Sequence, residues 1–213
     1  MMGTSEMPQT SKDQPLRRPV VQKRSAKKIE DILTATERHI AAHGLIDLST
    51  NQIAKNAGIS IGTVYHYFDD KEAILAALYS RALDRIWVAL VAIDTELGAT
   101  PNFDHFLELA RTRIAAAERD ETPQMFLSGL LRGLPAIKKL DAAHNERVID
   151  WLASILRRMG SKLPDAKLNK LSMYLYIVFS SSTWEAFAAL GKVDSDIESW
   201  RDDIVETLAR KAF

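Results

Sequence analysis

Cysteine is absent from the 213 residues, which removes disulfides, thiolate catalysis and Cys-based zinc sites. No uninterrupted apolar run reaches the roughly 18 residues of a membrane-spanning helix. The best candidate, Leu175 to Leu190, is broken by Glu185 and three serines. With no signal peptide either, the expected compartment is the cytoplasm. There is no GxSxG, no glycine-rich phosphate loop and no HExxH, so no catalytic residue is assigned and no enzyme is expected. His39 and His43 stand at a spacing that can bind metal, but only Glu37 and Asp47 lie near them as loose partners. A solvated helix face is the expectation there, with no metal and no cofactor.

Net charge is also absent, since 28 basic residues balance 28 acidic ones. That balance hides a strong asymmetry. Arg17, Arg18, Lys23, Arg24, Lys27 and Lys28 follow one another with no acid among them, whereas Asp94, Glu96, Asp104, Glu108, Asp194, Asp196, Glu198, Asp202 and Asp203 lie later. A basic segment at one end suits phosphate contact. Residues 1–22 lack periodicity and are rich in Ser, Thr, Gln and Pro, the composition of a disordered basic arm. The apolar share of 46% is that of a soluble globular protein.

Residues 49–72, STNQIAKNAGISIGTVYHYFDDKE, carry the most information. Ser49 can cap a short helix, with Gln52 completing a capping box and Ile53, Ala54 and Ala57 giving an apolar face. Gly58 ends it, because glycine enters the left-handed region without steric penalty. Ile59 packs, Ser60 can cap a second short helix, and Val64, Tyr65 and Phe68 give that helix a buried side. Tyr65 is open between a mainly core role and a DNA contact. The outward residues Ser60, Gly62, Thr63, His66 and Tyr67 include no acid, as a surface facing phosphates requires. This is a helix-turn-helix.

The segment Ile53-Ala54, Ala57-Gly58-Ile59-Ser60, Gly62-Thr63-Val64-Tyr65-His66-Tyr67-Phe68 and Lys71 resembles the TetR family of repressors. The match is specific for residues 25–75. It departs from the family pattern at Ile59 for Val, and at Ile61, where many relatives carry Lys or a polar residue facing bases or phosphates. By resemblance, Thr63, Tyr65, His66 and Tyr67 carry phosphate and base contacts, and Gly62 allows close backbone approach. Lys71, at a helix N-terminus, meets a phosphate, and Ser49 or Thr50 donates another bond. With Ser60 and Ile61 these make up the expected DNA-binding set.

Helical periodicity covers the rest. Ile29, Ile32, Leu33, Thr36 and Ile40 stripe a first helix ending at Gly44, and Asp69 and Asp70 offer caps to a fourth, which carries Leu75, Leu78, Ile86, Leu90, Ile93 and Leu97. Further helices open at Asn102, Thr122-Pro123, Pro135, Pro164 and Asp196. The expected fold is all-α: a three-helix helix-turn-helix domain over 23–70, then a six-helix ligand-binding and dimerisation domain over 71–213. The last two helices hold more apolar surface than one small domain needs, so a homodimer through a four-helix bundle is expected, as TetR-like proteins form. Phe179, Trp184, Phe187, Ile197, Trp200, Ile204 and Leu208 are its candidate contacts.

The resemblance also implies a small-molecule pocket in the second domain. Its candidate lining is Phe103, Phe106, Met125, Phe126, Trp151, Met159, Met173 and Tyr176, with His105 and His144 as polar partners. Such a lining suits a hydrophobic or aromatic effector. Two functions remain open: a dimeric, ligand-released repressor on a near-palindromic operator, or a helical interaction protein with weak or lost specific DNA binding.

Overall fold

The computed structural model describes residues 23–45, 47–114, 116, 133–190 and 194–213, and among these all regular structure is helical. The chain divides into two compact units, one up to Ala77 and the other from Leu78 onward.

In the first unit, α1 (Lys23–His43) buries Ile32, Leu33, Thr36 and Ile40 on one face and ends at Gly44, whose φ of +70° closes the last turn. α2 (Thr50–Asn56) begins where Ser49 Oγ accepts the Gln52 N–H at 3.2 Å. The reciprocal half of the expected capping box is missing. Gln52 instead donates its side-chain amide to Asn56 Oδ1 at 3.0 Å, one turn along the same helix. Gly58, at φ +64°, ends α2 in a Schellman arrangement: its N–H reaches Lys55 O (3.2 Å) and the Ile59 N–H reaches Ala54 O (3.0 Å).

Ser60 Oγ then accepts the Thr63 N–H at 3.1 Å, and α3 (Ile61–Tyr67) follows, held by the fully buried Val64 and Phe68. Asp70 Oδ1 accepts the Ala73 N–H at 2.7 Å and opens α4 (Lys71–Leu97). At 27 residues, α4 is about 40 Å long and contributes to both units.

The second unit adds α5 (Phe103–Leu109), capped by Asn102 Oδ1 and continued by one wide π turn over Ala110–Ile114. Then come α6 (Pro135–Arg158), α7 (Asp165–Leu190) and α8 (Ser195–Ala209). Leu90, Ile93 and Leu97 of α4 pack with Phe106, Leu107, Val148 and Ile155 in one core cluster. Leu156, Leu168, Leu175 and Ala209 form the centre of a second. The helix expected from Thr122-Pro123 lies outside the described residues, leaving eight α-helices among them.

Candidate nucleic-acid interface and effector cavity

Helices too short to be stable alone present the candidate DNA surface, so the bonds that fix them matter. Ser60 Oγ and Thr63 Oγ1 are 2.8 Å apart, which joins the cap of α3 to its first turn. Thr50 Oγ1 and the Tyr65 hydroxyl are 3.1 Å apart and tie the start of α2 to the middle of α3. Tyr65 is not on the buried side: it is 42% exposed, while Val64 and Phe68 hold the core. Its exposed ring and its bond to Thr50 place two expected DNA contacts side by side.

Ser49, Ser60, Ile61, Gly62, His66 and Lys71 are exposed, and Thr50, Thr63 and Tyr67 are partly so. The His66 ring meets the Tyr67 ring edge-on at 4.8 Å. No acid occurs in α3, but Asp69, Asp70 and Glu72 flank Lys71, and Asp70 already takes the Ala73 amide there. Lys27 and Lys28 are exposed on α1, and the arm over 1–22 lies outside the described residues.

His39 departs from expectation. It is buried, stacked on exposed His43 at 4.8 Å between ring centres, and its Nδ1 accepts from Asn56 Nδ2 at 3.1 Å. His39 therefore links α1 to the end of α2 and is off the solvated face, on which His43 remains. No group of three metal-ligating side chains occurs among the described residues.

In the second unit, α4, α5, the π turn, α6, α7 and α8 line a partly open cavity of about 90 Å³. Phe106, Trp151 and Tyr176 from the candidate lining face it, together with Leu90, Leu152 and Phe179. Trp151 Nε1 is buried with no hydrogen-bond partner among the described residues, while the Tyr176 hydroxyl donates to Asn145 Oδ1 at 2.5 Å. Arg111 and Asp202 stand at the cavity edge, 3.7 Å apart, and Arg111 also pairs with Glu206 at 2.8 Å. Hydrogen bonds from Arg210 and then Arg111 hold the Glu206 carboxyl below its usual range.

Other expected lining residues lie elsewhere. Phe103 packs edge-on to Phe213 and under the Arg210 guanidinium, Met159 joins the core clusters, and Met173 and His105 face solvent. Met125 and Phe126 fall outside the described residues. His144 is half-buried on α6 away from the cavity, and its pKa is lowered to about 4 by burial first and by Arg147 second, against a raising influence from Asp84. Arg111 and Asp202 had no distinguishing sequence signal, because each reads as one more charge on an amphipathic helix.

Residues 32–78 match the model of the bacterial regulatory proteins of the tetR family. Over 72 residues the chain is 35% identical to the HTH-type transcriptional regulator BetI of Stenotrophomonas maltophilia, covering 34% of this chain and 37% of that protein. It is 41% identical over 59 residues to the HTH-type transcriptional regulator EthR of Mycobacterium tuberculosis, covering 28% of this chain and 27% of that one. The chain thus spans about a third of the length of these relatives. A longer match, 25% identical over 154 residues, joins it to the HTH-type transcriptional repressor AcnR of Corynebacterium diphtheriae, over 70% of this chain and 75% of that protein. Residues 32–78 thus belong to the TetR family.

A TetR-family transcriptional regulator from Streptomyces coelicolor has the same fold, with a TM-score of 0.65 at 21% identity over 87% of this chain and 99% of that one. The relatives are named as transcriptional regulators, and the expectation of a regulator in place of an enzyme agrees with them.

Two helices of the second unit leave apolar side chains in solvent. Met173, Tyr174 and Ile177 are exposed on α7, as are Trp200 and Ile204 on α8, and the two helices pack against each other. Phe179 and Leu208, expected on the pairing surface, turn inward. Phe179 lines the cavity beneath the buried Arg201 guanidinium at 4.2 Å, and Leu208 packs on the core. Ile197 is half-buried, and the side chains of Trp184 and Phe187 lie outside the described set. No described helix is long and apolar enough to cross a membrane.

Proposed function

We propose that this protein is a transcriptional repressor that binds a near-palindromic operator as a homodimer and is released by a small apolar effector. The observation that carries the reading is α3, an acid-free helix with Ser60, Gly62 and His66 exposed, anchored by buried Val64 and Phe68 and tied to α2 through Thr50 and Tyr65. One such helix covers few base pairs. Two of them ~34 Å apart meet successive major grooves on one face of the duplex. The exposed strip of Met173, Tyr174, Ile177, Trp200 and Ile204 is the pairing surface, closing a four-helix bundle about a two-fold axis.

The effector enters the cavity beside Trp151. Its walls favour an apolar body, and the Trp151 Nε1–H, which has no partner among the described residues, favours one hydrogen-bond acceptor on that body. At about 90 Å³ the cavity is smaller than the ~150 Å³ that admits benzene, so binding must widen it. Leu90 belongs to its wall and to α4, which runs in sequence from the end of the helix-turn-helix. Widening that shifts α4 alters the presentation of α3 and favours the DNA-free state.

Selection of bound sequences from a random duplex pool by the full chain, at two salt concentrations, tests this reading. A palindrome with half-sites about one helical turn apart is the expected result. Retention without a motif, vanishing at modest salt, would leave a helical interaction protein in its place.

A further inference from the structure

The first turn of α3 is where a recognition helix meets base edges, and its side chains divide unevenly. Ser60 Oγ is engaged by the Thr63 N–H and the Thr63 hydroxyl, and Gly62 carries no side chain. Tyr65, one turn on, shares its hydroxyl with Thr50. The side chain left projecting at the head of the helix is Ile61, 36% exposed, branched and without a polar atom. An aliphatic group cannot replace the water bonds of a guanine O6 and N7 or a cytosine N4, so pressing it against those edges leaves them unsatisfied. Only thymine presents an apolar group in the major groove, its C5 methyl.

We infer that Ile61 is a specificity-determining residue that reads one thymine methyl in each half-site. The inference rests on the proposed DNA-binding function and adds the base class to it. Specificity at this position comes from exclusion of water between two apolar groups, so it carries no salt dependence of its own.

The test uses the full chain and the sequence it selects. Each thymine of one half-site is replaced in turn by deoxyuracil, which keeps every hydrogen bond and removes only the methyl. One replacement is expected to weaken binding about four-fold, the scale of one buried methyl. Ile61→Ser is expected to bind thymine and deoxyuracil duplexes alike at that position, with an unchanged salt slope, while Ile61→Val keeps the preference. Circular dichroism of both variants checks that α3 remains folded. If no deoxyuracil replacement weakens binding, or Ile61→Ser keeps the full preference, the inference is overturned and the regulator reading stands. If the chain selects no sequence at all, both fall.

Discussion

The two units solve different problems with the same kind of element. In the first, short helices are fixed by specific local bonds. Ser49 and Ser60 cap, Gly58 turns left-handed, and the Thr50–Tyr65 and His39–Asn56 pairs tie neighbouring helices. In the second, long helices are held by broad apolar packing in two clusters that surround a cavity, with ion pairs such as Arg158–Asp94 (2.5 Å) around the rim of the helices. The first unit can change little without losing its surface. The second can vary almost everywhere provided that its volume is filled, except where it must pair or bind. A reading surface needs fixed side chains, and a responsive one needs slack.

The largest effect that would break this contrast is Phe68→Ala. Phe68 is fully buried in the first unit, and its truncation should cost about 3–5 kcal/mol there. Chemical denaturation should then show unit 1 melting before unit 2, with operator binding lost and self-association retained. Loss of both together would mean that the units fold as one.

Acid acts on the other unit. His144 has its folded pKa depressed to about 4 from 6.5, so the fold disfavours its charged form. Above pH 6.5 that cost is absent. As pH falls through 6.5 the unfolded chain takes up the proton first, and stability declines until about pH 4. The full loss is on the order of 3 kcal/mol. Urea unfolding followed at pH 7 and pH 4.5 should show this decline in wild type and a flatter profile in His144→Asn.

Next in size is Trp200→Ala. At 63% exposure Trp200 contributes little to its own unit, but as an aromatic of the proposed pairing surface its loss should weaken dimerisation by about 2 kcal/mol, roughly 30-fold. Sedimentation over a concentration series measures it, with thermal stability of the isolated chain unchanged. Smallest is Gly58→Ala. A Cβ at Gly58 meets nothing within 4 Å, so the cost is backbone strain alone, about 1–2 kcal/mol. Thermal melting should register it in the first unit, and a larger loss would point to a clash that the geometry lacks.

What was legible in the sequence follows the same division. Caps and stops are local, and Ser49, Ser60, Asp70, Asn102, Pro135, Gly44 and Gly160 each mark the helix end that their chemistry implies. The direction of individual side chains was harder. Gln52 had two partners within reach and took Asn56. Tyr65 sits between buried Val64 and exposed His66, and its bond to Thr50 lies on the exposed side. Along α7, Met173 to Phe179 are apolar without interruption, so periodicity selects no face, and Phe179 went inward while Met173, Tyr174 and Ile177 stayed out. The cavity is a gap among side chains from six segments, and no single stretch of sequence encodes it.

The claim that joins the two units is that pairing through α7 and α8 sets two α3 helices on one duplex. Sedimentation of the full chain with its selected palindrome, against the same duplex with one half-site scrambled, measures this directly. Two chains per intact palindrome, with affinity falling by at least tenfold on the scrambled duplex, is the predicted result. One chain per duplex, bound equally well to both, would contradict the account.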